Sequence, residues 1–147
     1  MRTPDAATAT QIYDLVARHA HAFDNRSWPA MALAYEPDAR IGGPTGDTGA
    51  VSDLPATEHN GQVFFSHHTT DTVLHQVDEN TVRAWSKYFV VRGDGTAGSG
   101  DFQDTVVRTA DGWRITQRRG SRGNRPDTDP DGPSTRELDA ASWRAVG

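Results

Sequence analysis

The chain has 147 residues, a net charge of −5 and no cysteine, with 35% hydrophobic and 24% charged residues. That length fits one hydrophobic core and hence one domain, while zero cysteines exclude disulfides, thiolate metal sites and a cysteine nucleophile. The acidic balance argues against nucleic acid as the main partner, no apolar run approaches the roughly 18 residues of a membrane span, and Met1 to Thr10 lacks the apolar stretch of a secretory signal, so a cytoplasmic protein is expected.

From Pro4 to Asp24 the apolar residues Ile12, Leu15, Val16, Ala20 and Phe23 recur at helical spacing and predict a first helix with one buried stripe. Asp24-Asn25-Arg26 makes a tight connection, and Ser27 stands as N-cap before a shorter helix from Trp28 to about Tyr35, with Pro29 tolerated in the first turn. Glu36-Pro37-Asp38 breaks helicity ahead of a short strand at Ala39 to Ile41. Gly42 to Gly61 is rich in Gly, Pro, Thr and Asp and predicts an irregular loop, with at most a short helix near Ser52 to His59.

Four strand-like runs follow, His67 to Val77, Thr81 to Val91, Ser99 to Thr109 and Trp113 to Arg122. The breaks Asp78-Glu79-Asn80, Gly93-Asp94-Gly95 and Ala110-Asp111-Gly112 are turn chemistry too short for crossovers, which predicts an antiparallel meander. Helices first and hairpins afterwards make an α+β domain, residues 1–122, followed by a flexible tail, residues 123–147, with Leu138 and Trp143 as its apolar anchors. Arg114, Arg118, Arg119, Arg122 and Arg125 form a basic cluster, but Asp127, Asp129 and Asp131 follow and offset its field.

Among residues that could carry chemistry, Asp24 closes the first helix beside the apolar stripe, where a carboxylate is costly unless paired; the plain alternative is helix-end capping. His67 and His68 point to opposite faces of their strand, so only one can face a pocket. If Asp24 reaches the inward histidine, the carboxylate fixes its tautomer and makes it a general base or acid. His19 falls on the apolar stripe and points inward, either to a ligand or to a backbone carbonyl. Phe102 and Asp104 share one face of their strand, which would make Asp104 a second carboxylate in the pocket; Tyr13, Tyr35 and Tyr88 are candidate hydroxyl donors. A divalent metal held by His19, His21, His67, His68 and Asp24 is disfavoured, because helix neighbours two apart diverge by about 200°.

The segments Arg18-His19-Ala20-His21-Ala22-Phe23-Asp24, Trp28, Tyr35 to Ile41, His67-His68-Thr69-Thr70-Asp71, Phe102 to Thr109 and Asp111-Gly112-Trp113-Arg114-Ile115, in this order and spacing, resemble the SnoaL-like branch of the nuclear transport factor 2-like superfamily. Scytalone dehydratase, bile-acid dehydratases and polyketide cyclases belong to that branch. The resemblance spans Ala9 to Arg119 and implies a cone-shaped α+β barrel, N-terminal helices packed on a strongly curved antiparallel sheet around a cofactor-free pocket. It also implies that Asp24 and His67 form the catalytic dyad of the dehydratase members. Two positions depart from the pattern: His19 stands where bile-acid dehydratases place a Tyr, and Phe23 where scytalone dehydratase does. The family's third helix has no clear counterpart between Gly42 and Phe65.

The leading reading is a cofactor-independent dehydratase, isomerase or cyclase acting on a polycyclic or polyketide-like carbonyl compound. Asp24 and His67 would do the chemistry, with His19, Tyr13, Tyr35, Tyr88, Phe102 and Asp104 contacting substrate and no metal involved. Fourteen Arg against one Lys, with abundant Ala and Gly, fits a GC-rich bacterial genome; the resemblance implies a place in bacterial secondary metabolism. The alternative is a small-molecule binding or dimerisation module of the same fold without catalysis. An exposed sheet face predicts a homodimer or higher homo-oligomer.

Overall fold

The computed structural model describes residues 2–42, 48–54 and 65–122. Helix α1 spans Ala6–Asp24 and opens on Asp5, whose Oδ1 accepts a hydrogen bond from the Thr8 N–H at 2.8 Å. That bond satisfies one of the first-turn donors a helix leaves unpaired. The stripe read from the sequence is the buried face: Ile12, Leu15, Val16, His19 and Ala20 all point into the domain. Helix α2 is shorter than expected, Trp28–Ala32, and has Ser27 as its N-cap residue, although the Ser27 side chain makes no capping bond.

The short strand expected at Ala39 is longer, β1 at Tyr35–Gly42. Its register against the last strand is interrupted between Tyr35 and Arg40, the stretch that contains Pro37. Proline has no N–H to give a ladder, so the strand accommodates it at an irregularity instead of ending there. The loop region contributes β2 at Thr48–Ala50 and a 3₁₀ turn at Val51–Asp53; most of the short helix expected near Ser52 to His59 lies outside the described residues. So does the tail, residues 123–147, with Leu138 and Trp143.

The four long strands match the sequence reading to within two residues at each end: β3 Phe65–Gln76, β4 Thr81–Arg92, β5 Ala97–Thr109 and β6 Gly112–Arg122. Gly95 and Gly112, with φ of +82° and +105°, supply the left-handed conformations that two of the hairpin turns need. The sheet order is β2-β1-β6-β5-β4-β3. The antiparallel expectation needs one correction: β1 lies parallel to β6, so the sheet is mixed. A parallel neighbour requires a long connection, and the whole intervening meander supplies it.

Along β4 Val82, Ala84, Ser86, Tyr88 and Val90 are buried, whereas Lys87, Phe89 and Val91 are exposed; Arg83 breaks the alternation by being buried as well. The inner face packs on α1 and α2 through Ile12, Leu15, Val16, Met31, Tyr35, Val82, Val106 and Ile115. Among the described residues no helix is long and apolar enough to cross a membrane.

Candidate functional site

Asp24 is the last residue of α1, and His67 lies near the start of β3, the strand at the sheet edge. An edge strand has N–H groups unclaimed by a neighbour on one side, and one of them is used here. The His67 backbone N–H donates to Asp24 Oδ2 at 2.7 Å, and the ring Nδ1–H donates to Asp24 Oδ1 at 2.6 Å. Both side chains are largely sheltered, at 15% and 18% exposure. Two bonds to two oxygens fix the imidazole against rotation and place the ring proton on Nδ1, so the lone pair of the neutral ring is on Nε2. That is the geometry of a general base with its orienting carboxylate.

Beyond His67 the inner wall is aromatic. The His67 ring lies 5.4 Å from Phe23 and 6.4 Å from His19, both edge-on. His19 is buried, and its Nδ1 is 2.8 Å from the Tyr35 hydroxyl. Burial, with the Arg118 charge and His67 nearby, holds the His19 imidazole well below its ordinary pKa; burial likewise raises that of the Tyr35 phenol. Both groups are therefore neutral near pH 7. Phe102 stacks on Tyr88 at 4.3 Å and meets the edge of His19 at 5.8 Å.

Arg118 is the residue that sequence reasoning missed. It is fully buried, its Nε and Nη2 donate to the two oxygens of Asp104 at 2.7 Å each, and its Cζ lies 4.5 Å from the Phe102 ring centre. Burial opposes its charge, but the Asp104 carboxylate and nearby Tyr35 outweigh that and hold the guanidinium protonated. Its Nη1 has no hydrogen-bond partner among the described residues. Strict alternation along β6 would put Arg118 on the face opposite Ile115. The β5–β6 register shift, with Val106 opposite Ile115 but Asp104 opposite Arg118, returns it to the inner face.

The remaining expected residues are placed as follows. Asp104 does share the inner face with Phe102, and each of its oxygens accepts a bond from Arg118, so it holds the arginine in place. Tyr88 is buried and donates to the Ser121 carbonyl at 3.0 Å, which makes it a strut. Tyr13, expected as a hydroxyl donor to substrate, is 47% exposed and sits eleven residues before Asp24, about 16 Å along the helix, so the fold does not bring it to the dyad. His68 points to the outer face, as alternation requires, and stacks on Phe89 at 4.4 Å. A groove of about 430 Å³ lined by Ala17, Ala20, Asp24, His67, Thr69 and Phe89 opens beside the dyad. Among the described residues no three His, Cys, Asp or Glu side chains are grouped to hold a metal ion.

The sequence profile of the SnoaL-like domain matches residues 4–119. The chain belongs to the SnoaL-like family. No curated protein matches it in sequence. Solved structures share its fold at low identity, among them an NTF2-like superfamily protein from Salmonella enterica serovar Typhimurium (TM-score 0.70, 16% identity, covering 86% of this chain and 98% of that one). A protein from Kribbella flavida gives 0.71 at 22% identity, covering 84% and 96%. The hexachlorocyclohexane dehydrochlorinase LinA-type3 from Novosphingobium barchaimii gives 0.72 at 17% identity, covering 80% and 88%. The profile match establishes a SnoaL-like domain, and the structural likenesses an α+β NTF2-like fold.

Proposed function

We propose that this SnoaL-like protein is a cofactor-independent lyase, isomerase or cyclase that removes a proton from carbon next to a carbonyl group in a polycyclic or polyketide-like compound, in bacterial secondary metabolism. The observation that carries this reading is the two-point grip of Asp24 on His67 at 2.6 and 2.7 Å in a sheltered position. His67 Nε2 takes the proton, the electron pair of the C–H bond becomes the enolate, and the imidazolium so formed is stabilised by Asp24. The proton then leaves in one of three ways: with a departing hydroxyl as water, onto another carbon of the substrate, or onto the oxygen of a second carbonyl attacked by the enolate. Proton transfers alone balance each outcome, and no cofactor is invoked. A structural neighbour named as a dehydrochlorinase fits a related class, since loss of HCl also removes a C–H proton.

The test is deuterium uptake next to the carbonyl in a panel of polycyclic ketones incubated with the protein in D₂O. Wild-type protein should catalyse uptake for some member, with a loss of about 10²- to 10⁴-fold in His67→Gln, the worth of one acid–base group. Tight ketone binding with no uptake in any member would leave a binding module instead.

The partner of the site is a small molecule, with neither nucleic acid nor membrane engaged. We also propose a second copy of the chain as the cover for the outer sheet face, where Val73, Phe89 and Val91 are 54%, 41% and 39% exposed.

A further inference from the structure

The dyad can remove a proton, but the negative charge that then grows on the substrate oxygen needs a partner. Two unused polar groups lie on the same inner wall. The first is His19. Tyr35 has one hydroxyl proton, and its one hydrogen bond among the described residues is to His19 Nδ1. If Nδ1 carried the proton, the buried phenol would have no acceptor and Nε2 would present only a lone pair. With Tyr35 as donor the phenol is satisfied, and the neutral imidazole must carry its proton on Nε2. His19 Nε2 makes no hydrogen bond among the described residues. The second is Arg118 Nη1, fully buried and without a partner among the described residues, on a guanidinium whose other two nitrogens are fixed by Asp104. His19 and Arg118 both abut the Phe102 ring, at 5.8 and 4.5 Å, and His19 is 6.4 Å from the His67 ring.

We propose that His19 Nε2–H, held in that tautomer by Tyr35, and Arg118 Nη1–H form the oxyanion site of this protein, which takes a substrate oxygen that becomes an enolate. This rests on the proton-transfer reading of Asp24 and His67 and narrows it to substrates whose developing charge is on oxygen. His19 acts on that oxygen directly; Tyr35 is a positioning residue. A neutral imidazole suits the task, because it donates without a competing proton transfer to the enolate. Donors fixed in a buried site need no reorganisation as the charge appears. A buried guanidinium with one nitrogen unpaired is costly in the empty site, and a ligand oxygen removes that cost.

The proposal is tested with 4-nitrophenol, whose phenol and phenolate forms differ in colour and whose phenolate imitates an enolate. Bound to the wild-type protein, the probe should ionise at a lower pH than in water, with a preference for phenolate of about tenfold or more, the worth of one hydrogen bond to a charged oxygen. That preference should shrink about tenfold in His19→Phe, recover in part in His19→Gln, and persist in Asp24→Asn. No preference in the wild type overturns the proposal. So does a preference that persists in His19→Phe and vanishes in Asp24→Asn, which would give the oxygen to the His67 imidazolium and leave the dyad reading intact. Independently of how the variants fold, ¹⁵N NMR of the wild type should show His19 as the Nε2–H tautomer, with Tyr35→Phe mixing the two forms. A pure Nδ1–H tautomer in the wild type refutes the assignment.

Discussion

A carboxylate at the C-terminal end of a helix stands where the backbone carbonyls already gather partial negative charge, so Asp24 is poorly placed for helix stability. Its two hydrogen bonds from His67 explain why it is there. That pairing was legible because both residues sit at element ends, where helix period and strand alternation fix direction. His19 was legible as an inward residue, but its tautomer depends on Tyr35, sixteen residues away, and no local pattern reports that. Its burial has a consequence for stability. The folded protein holds His19 well below its ordinary value of 6.5 through burial and the facing groups Arg118 and His67, with Tyr35 on Nδ1. As pH falls below that value the unfolded chain binds a proton there and the folded one does not. This stability is thus fully present above about pH 6.5 and declines below it, by at most about 1.4 kcal/mol per pH unit. Urea unfolding between pH 7.5 and 5 should show the decline, and His19→Gln should flatten the curve in that window. Parallel curves for the two proteins would show that His19 is not the group responsible.

At the scale of elements, the four long strands could be read because each is bounded by turn residues and alternates along its length. The pairing of β1 beside β6 could not, since it joins residues about eighty positions apart, and Pro37 argued locally against a strand that the structure carries through an irregular stretch. The same kind of irregularity hid Arg118: a register shift on β6 reverses the face that strict alternation assigns. The result is an ion pair across β5 and β6 with neither partner in contact with solvent. Removing one partner of such a pair leaves a buried charge uncompensated. Asp104→Asn should therefore lower the unfolding free energy by about 3–5 kcal/mol, read from the urea midpoint at constant slope. The double change Asp104→Asn with Arg118→Met should recover part of that loss, because an apolar replacement of the whole pair avoids the desolvation cost. If Asp104→Asn alone is neutral, the guanidinium is not dependent on Asp104 and water reaches the inner wall.

For the whole molecule, the two sheet faces divide the labour. The inner face, with α1 and α2, forms the core and the aromatic wall, whereas the outer face has its own polar order: Trp85 Nε1–H donates to Asp101 Oδ1 at 3.1 Å, and Lys87 pairs with the same carboxylate. Around this set lie Val73, Phe89 and Val91, all exposed although strand residues of this type usually pack against something. A second copy related by a two-fold axis would bury this apolar rim with the same rim, which a self-complementary interface permits. Sedimentation equilibrium should give twice the 16.0 kDa mass of the chain. Val73→Glu combined with Val91→Glu should return it to the single mass, since like charges would then meet across the axis. Both positions point away from the core, so the cost to folding should stay within the roughly 1 kcal/mol range of strand propensities, and circular dichroism should be unchanged. A wild-type protein that sediments as one chain at tens of micromolar, or a double variant that still associates, would assign the outer face no role in assembly.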